Sequence, residues 1–208
     1  MRSKIDFHTW KRKEHYTFFK QFEQPFFGVT VRVDCTQIYA KAKANNESVF
    51  LHYLHKALLA VNEIENFKYR IVEDSVYLYD RIDGSPTIAR PDETFGFSYI
   101  KFNEDFGIFS RDAKTEIARV RAGSGLEVAV SGENVVHFST LPWLDFTTVE
   151  HPKSLTFPDS CPKIVFGKMT TNTENLQSMP VSIHGHHALM DGMHIGQFVK
   201  RFQELLNL

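Results

Sequence analysis

The sequence predicts an α/β protein in two layers, a mixed β-sheet packed by helices. Helical and strand periods alternate along the chain, a hairpin signal lies among them, and the last helix carries one continuous apolar stripe that must dock on a sheet. Interleaved elements exclude a pure helical bundle, and the hairpin excludes a purely parallel sheet.

Taken in order, a first helix is predicted over residues 10–21, where Trp10, Glu14 and Phe18 fall on one side, and Pro25 fixes its end. Residues 28–33 alternate Val29, Val31 and Val33 inward against Thr30 and Arg32 outward, the period of a half-buried strand. Asp34-Cys35-Thr36 reads as its turn. After Asn45-Asn46-Glu47-Ser48, the residues Phe50, Tyr53, Leu54, Ala57, Leu58 and Val61 recur at helical steps, with Asn or Ser as the cap. Residues 68–72 and 75–80, split by Glu73-Asp74, form a hairpin, and Gly84-Ser85-Pro86 breaks the pattern.

A strand over 96–102 precedes a helix over 105–122 that places Phe106, Phe109, Ala113, Ile117 and Val120 on one face, and Gly123-Ser124-Gly125 ends it. Strands follow at 134–139, 163–169 and 181–185, the first two joined by an irregular loop containing proline. The final helix, 194–206, aligns Ile195, Phe198, Val199, Phe202, Leu205 and Leu206.

No Pro-, Gly- or Ser-rich stretch in the 208 residues is long enough to separate a pair of cores, so one domain over 1–208 is expected. The chain is 42% hydrophobic and 24% charged, the balance of a soluble protein with a full core. A net charge of −1 with interspersed signs supplies no global field for nucleic acid or an anionic membrane. Cys35 and Cys161 are far apart and match neither a disulfide framework nor a metal motif, which fits a reducing compartment. With no run of eighteen apolar residues and no apolar segment behind the first positive charges, the expected location is the cytoplasm. Of the 19 phenylalanines, Phe18, Phe19, Phe22, Phe26 and Phe27 crowd together; core packing explains most, leaving a minority to line a pocket.

Four of the ten histidines lie in Ile183-His184-Gly185-His186-His187-Ala188-Leu189-Met190-Asp191-Gly192-Met193-His194, between a strand and a helix. Three readings compete. As a metal site, His184-x-His186 is a possible chelate, but Ala188 stands where a binuclear hydrolase pattern needs Asp, and no His-Glu-x-x-His occurs. As structural groups, single histidines are usually satisfied polar residues, a reading that suits His184 and His194 best. As a general base, a neutral imidazole titrating near the working pH is the most suitable side chain, with Asp191 ordering the turn and Gly192 giving the backbone room.

The order His-His-Ala-x-x-Asp-Gly-x-His before a C-terminal amphipathic helix resembles the active-site signature of the chloramphenicol acetyltransferase family. Its His-His-x-x-x-Asp-Gly core also resembles peptide condensation domains and, loosely, dihydrolipoamide acyltransferases. Trp10-Lys11-Arg12-Lys13-Glu14-His15 and Ser139-Thr140-Leu141-Pro142-Trp143 resemble two further signatures of the first family, in the same order, so the resemblance covers almost the whole chain.

This resemblance implies the coenzyme A-dependent acyltransferase fold, acetyl-CoA as co-substrate, a chloramphenicol-like hydroxyl acceptor, no metal, and a homotrimer with sites shared between neighbours. His187 is implied as the base, held through its own backbone carbonyl with Nε2 free. Asp191 is implied as a structural carboxylate paired with Arg12, and Ser139 as the oxyanion donor across a shared cleft. Phe95, Phe18 and Phe19 correspond to acceptor-side positions, Trp143 and Met169 to positions near coenzyme A. The chain departs from the family at Phe19, where Tyr is usual, at Met193, at His184-Gly185, at Val165, where Thr is usual, at Met169, and in the loop after Phe146, which has no clear match to the family's apolar contacts. These departures leave two alternatives: an acyltransferase for another small hydroxyl compound, or a non-catalytic ligand-sequestering module.

Overall fold

The computed structural model describes residues 1–126, 132–152 and 159–208. Its main sheet has seven strands. β2 (Phe26–Asp34), β10 (Gln177–His186), β8 (Lys163–Phe166), β7 (Val135–Thr140), β5 (Asp83–Ala89) and β6 (Phe95–Phe97) lie side by side in that order, and β9 (Thr170–Thr171) pairs with β10. The pairs β2–β10, β10–β8 and β5–β6 are antiparallel, whereas β8–β7 and β7–β5 are parallel, which is the mixed sheet that the sequence predicts. A smaller antiparallel sheet joins β1 (Arg2–Lys4) to the hairpin of β3 (Tyr69–Val72) and β4 (Ser75–Tyr79).

Three long helices cover one face of the main sheet. α3 (Val49–Glu63) starts on Ser48, whose side chain accepts from Leu51 N–H, and α4 (Phe106–Ala122) starts on Asp105, which accepts from Ile108 N–H at 2.8 Å. With α5 (Gly192–Leu206) they bury Leu54, Leu58, Phe109, Phe198 and Phe202 against Phe138, Ile164, Phe166, Val181 and Ile183. Alternation along each strand sends the intervening residues to the opposite face. Ser85, His137, Ser139, Lys163, Val165, Ser182 and His184 stand there in register across β5, β7, β8 and β10. Thr30 Oγ1 donates to Ser182 Oγ at 3.1 Å, which meets His184 Nε2 at 3.0 Å.

Several expectations are corrected. The first helix, α1 (Lys13–Phe19), is shorter and differently turned: Tyr16 is buried while Glu14 and Phe18 face solvent. Trp10 lies ahead of it, packed edge-on to Tyr69 at 5.4 Å, because the smaller sheet offers Tyr16 and Trp10 a second apolar cluster. The supposed turn after Asp34 opens α2 (Thr36–Ala44), which buries only Ile38 and Ala42. Gly84-Ser85-Pro86 belongs to β5; Pro86 has no N–H to give, and its carbonyl accepts from Ser98 N–H and Oγ. Of the strand expected over 96–102, only Gly96 and Phe97 fall in a regular element, β6, followed by an isolated bridge between Gly84 and Ile100.

Capping gives a simple test of this frame. Asp105→Ala removes the acceptor for Ile108 N–H and is expected to lower stability by about 1 kcal/mol in chemical denaturation, with a melting point roughly 2–4 °C lower.

Candidate active site

The turn between β10 and α5 is built so that its backbone is fixed from three sides. His187 N–H donates to the Pro25 carbonyl at 2.8 Å, and Leu189 N–H donates to the His186 carbonyl at 2.9 Å. Ala188 and Leu189 are buried with Tyr16, Tyr69 and Val76, while Met190 enters the main core. Gly185 is required here because a Cβ would sit 2.2 Å from Met190 Sδ. Gly192 is not so constrained: a Cβ there meets nothing within 4 Å, which corrects the expectation that the turn into α5 needs glycine.

Arg12, just ahead of α1, donates through Nη1 to Asp191 Oδ2 at 2.8 Å and through Nη2 to the His187 carbonyl at 3.2 Å. The side chains are 12% and 32% exposed. Asp191 also caps α5, accepting from Met193 N–H at 3.1 Å, and His194 Nδ1 returns to accept from Asp191 N–H at 3.1 Å. Burial alone would raise the Asp191 carboxyl; the Arg12 hydrogen bond, His194 and the Met193 N–H outweigh it and hold the group below its ordinary value. Burial pushes His194 down, and it pushes His186 down to about 4, so both stay neutral near pH 7.

The His187 ring lies flat on Phe19, with centroids 4.0 Å apart and planes 4° apart, and Phe27 tilts against it at 4.6 Å. Its Nδ1 is buried without a hydrogen-bond partner among the described residues. The carbonyl implied as its anchor accepts instead from Arg12. Sequence reasoning used Pro25 as a helix stop and Phe27 as one ring in a phenylalanine-rich run, and placed neither against His187, since neither carries a spacing signal for that contact.

Ser139 lies on β7, half-buried, on the face opposite the helices. The chain does not bring it to His187. Register places Ser139 level with Val165 and Ser182, two strands away, and His187 is five residues beyond Ser182, so the separation is about 17 Å along the strands and about 9.5 Å across them. The expected shared cleft is therefore not formed within one chain. Phe18 is 58% exposed and touches Phe19 and Phe22, Phe95 is 46% exposed on β6, and Trp143 is 71% exposed beyond β7. Met169 is half-buried and packs on the main core.

Among the described residues, His137, Asp159 and Cys161 bring potential metal-ligand atoms within 4.8 Å of one another. The Lys163 ammonium already binds the Asp159 carboxylate, and Cys161 Sγ points to the Glu133 carbonyl at 3.4 Å. Both cysteines are free, and no helix among the described residues is long and apolar enough to cross a membrane.

The family model described as chloramphenicol acetyltransferase matches residues 2–203. Chloramphenicol acetyltransferase 3 of Escherichia coli is 26% identical over 99% of this chain and 97% of its own length, and a chloramphenicol acetyltransferase of Clostridium perfringens is 30% identical over 98% of each. A solved chloramphenicol acetyltransferase superposes with a TM-score of 0.91 at 32% identity, covering 99% of this chain and 100% of that one. A probable dihydrolipoamide acetyltransferase of Listeria monocytogenes shares the fold, with a TM-score of 0.68 at 16% identity over 93% and 88% of the two chains. Near-complete coverage by the family model, together with the His187 turn and its Arg12–Asp191 clasp, shows that this chain belongs to the chloramphenicol acetyltransferase family.

Proposed function

We propose that the chain is a cytoplasmic acetyl-CoA-dependent O-acetyltransferase that acetylates a primary hydroxyl of chloramphenicol, one domain over residues 1–208 acting as a homotrimer. The observation that carries this reading is His187 itself, an imidazole stacked between phenylalanines on a turn that Arg12 and Asp191 clasp. Such a base needs a fixed ring and a free nitrogen, and Nε2 is the atom left for the acceptor.

In the proposed reaction His187 Nε2 takes the hydroxyl proton as the oxygen attacks the thioester carbonyl carbon. The carbonyl electron pair moves to its oxygen, which accepts a hydrogen bond from Ser139. Collapse re-forms the carbonyl and expels the coenzyme A thiolate, which takes the proton from the imidazolium. The products are the acetyl ester and the free thiol. No covalent acyl-enzyme is invoked, because burial pushes the Cys35 thiol up to about 12 and raises Cys161 as well, which keeps both protonated.

The distance between His187 and Ser139 within one chain supports a site completed by a second copy. One copy offers its base from the helix side at the end of β10; another offers Ser139 from the open face of β7. Trp143, exposed beyond Ser139, is free to meet coenzyme A, whereas Met169 has less to offer because it packs on the core. Arg12 and Asp191 act through His187 as positioning residues. A different acceptor is favoured at one point: Phe19 lies directly on the base and brings no hydroxyl to the substrate. Acetyl-CoA-dependent thiol release with and without chloramphenicol distinguishes the acceptors.

His187→Ala is expected to reduce kcat/KM by roughly 10²–10⁴-fold, and turnover near the unaltered rate would refute the base. Ser139→Ala removes one oxyanion donor, worth about 2.7–4 kcal/mol of barrier. If each site takes His187 from one copy and Ser139 from the next, unfolding and refolding the two inactive variants together at equal amounts restores about a quarter of the activity, since half the copies carry each intact group. No recovery from mixed trimers would place both groups in one chain.

Asp191→Asn tests the clasp. The folded carboxyl is depressed, so its stabilisation is present above the unfolded value of about 3.9 and is lost as pH falls through the lower folded value. The stability difference between the two proteins is expected at pH 7 and to close below about pH 4 in denaturation curves. Alongside it, kcat should fall more than the KM for acceptor.

A further inference from the structure

β7 and β8 give the site a direction. Past Ser139 and Val165 the strands lead toward Trp143 and Met169, the thioester end in the proposed reaction. Two residues the other way, on the same face and in register with each other, stand His137 and Lys163, about 7 Å from Ser139 and Val165. An acceptor that approaches the thioester from the end away from coenzyme A therefore passes over His137 and Lys163.

That wall is polar. The Lys163 ammonium binds the Asp159 carboxylate, donates to the Cys161 carbonyl at 3.3 Å and lies 4.1 Å over the Phe26 ring. A cavity of about 910 Å³ runs along it, lined by Lys163, Asp159, His151, His184, His186 and Phe26. His151 Nε2 is buried with no partner among the described residues, and its ring stands edge-on to His184 at 4.8 Å. Burial and the neighbouring His184 push His151 down to about 4, so it is neutral near pH 7.

The charges in this wall cancel. Lys163 and Asp159 neutralise each other, burial holds His137, His151 and His186 uncharged near pH 7, and the ammonium on the carboxylate takes the place that a metal cation would need beside His137 and Cys161. Lys20, Glu23, Glu73 and Asp74 are exposed at the rim, where solvent screens them. What remains is a set of hydrogen-bond donors and acceptors without net charge, beside one aromatic ring. An ion gains little there, and an apolar ligand leaves buried polar groups unmet.

Resting on the reading that His187 and Ser139 act on one acceptor, we propose that the His151–Asp159–Lys163 wall is an acceptor subsite for neutral, hydroxyl-rich small molecules. The Lys163–Asp159 pair would hold a hydroxyl next to the one acetylated, donating from the ammonium and accepting at the carboxylate. His151 Nε2 would take a further hydroxyl. The acceptor class is thus wider than chloramphenicol and includes polyols and sugar-like alcohols.

The test compares thiol release from acetyl-CoA with chloramphenicol, methyl glucoside, a vicinal hexanediol and hexanol as acceptors, in the unaltered protein and in K163M and D159N. The unaltered protein is expected to favour the glucoside and the diol over hexanol by about tenfold or more in kcat/KM. Each substitution should cut that preference about ten- to a hundredfold, mainly through the KM for acceptor, and the double variant should cut it no further, since the two groups act as one unit. D159N keeps the shape of the side chain and guards against misfolding, which thermal unfolding and the KM for acetyl-CoA also report. Hexanol used as well as the diol, or a preference unchanged in both variants, overturns the subsite while chloramphenicol turnover stands. If none of the acceptors, chloramphenicol included, raises thiol release, the subsite falls together with the acetyltransferase reading.

Discussion

The clasp between Arg12 and Asp191 is the constraint on which the geometry around His187 depends. The two residues are 179 positions apart, and one guanidinium bridges the start of α1, the cap of α5 and the His187 carbonyl. Because Asp191 is also the helix cap, the direction of α5 and the position of His187 form one mechanical unit. Removing one partner of a buried pair costs about 3–5 kcal/mol, and the residual exposure of Asp191 places this pair below that range. The positive end of α5 favours the ionised carboxylate in the same direction as Arg12 does.

Around that clasp the sheet sorts the remaining groups by parity. Odd-numbered residues of β10 enter the core with α3 and α5, even-numbered ones stand on the opposite face, and His187 leaves the strand on the helix side against Phe27 and Phe19. Ser139, by the same alternation on β7, stands on the opposite face. A one-residue slip in either strand would exchange the faces, and the apolar set at Val181, Ile183, Phe138 and Phe166 forbids it. The burial that fixes the fold thus also fixes His187 and Ser139 on opposite sides of the sheet.

Much of this was legible in the sequence where a single period dominates. α3, α4, α5 and the β3–β4 hairpin follow their apolar spacing and their caps at Ser48, Asp105 and Asp191. α2 was not legible, because Ile38 and Ala42 alone face the core. Nor was the orientation of α1: Tyr16 is chosen by contact with Tyr69 and Leu189, residues remote in sequence. The Arg12–Asp191 pair came from motif resemblance, and the structure supplies its distance. The stacking of Phe19 and Phe27 on His187 had no local signal, since it depends on β2 meeting the end of β10.

The polar row on the open sheet face ties assembly to recognition. Polar side chains on a solvated face carry little penalty, but covering that face with a second copy removes water from every one of them. Thr30, Ser182 and His184 are already satisfied within the chain, and Gly28 leaves room for His184, since a Cβ there would lie 2.5 Å from its ring. Lys163 and Asp159 satisfy each other. His151 Nε2 is left over, beside the strands that carry Ser139. That nitrogen is already out of water within one chain, and in the proposed subsite the group that compensates it is a ligand that brings its own hydroxyl. If a neighbour's His187 meets Ser139 over this face, as proposed, the same face that completes the site would also select what it acts on.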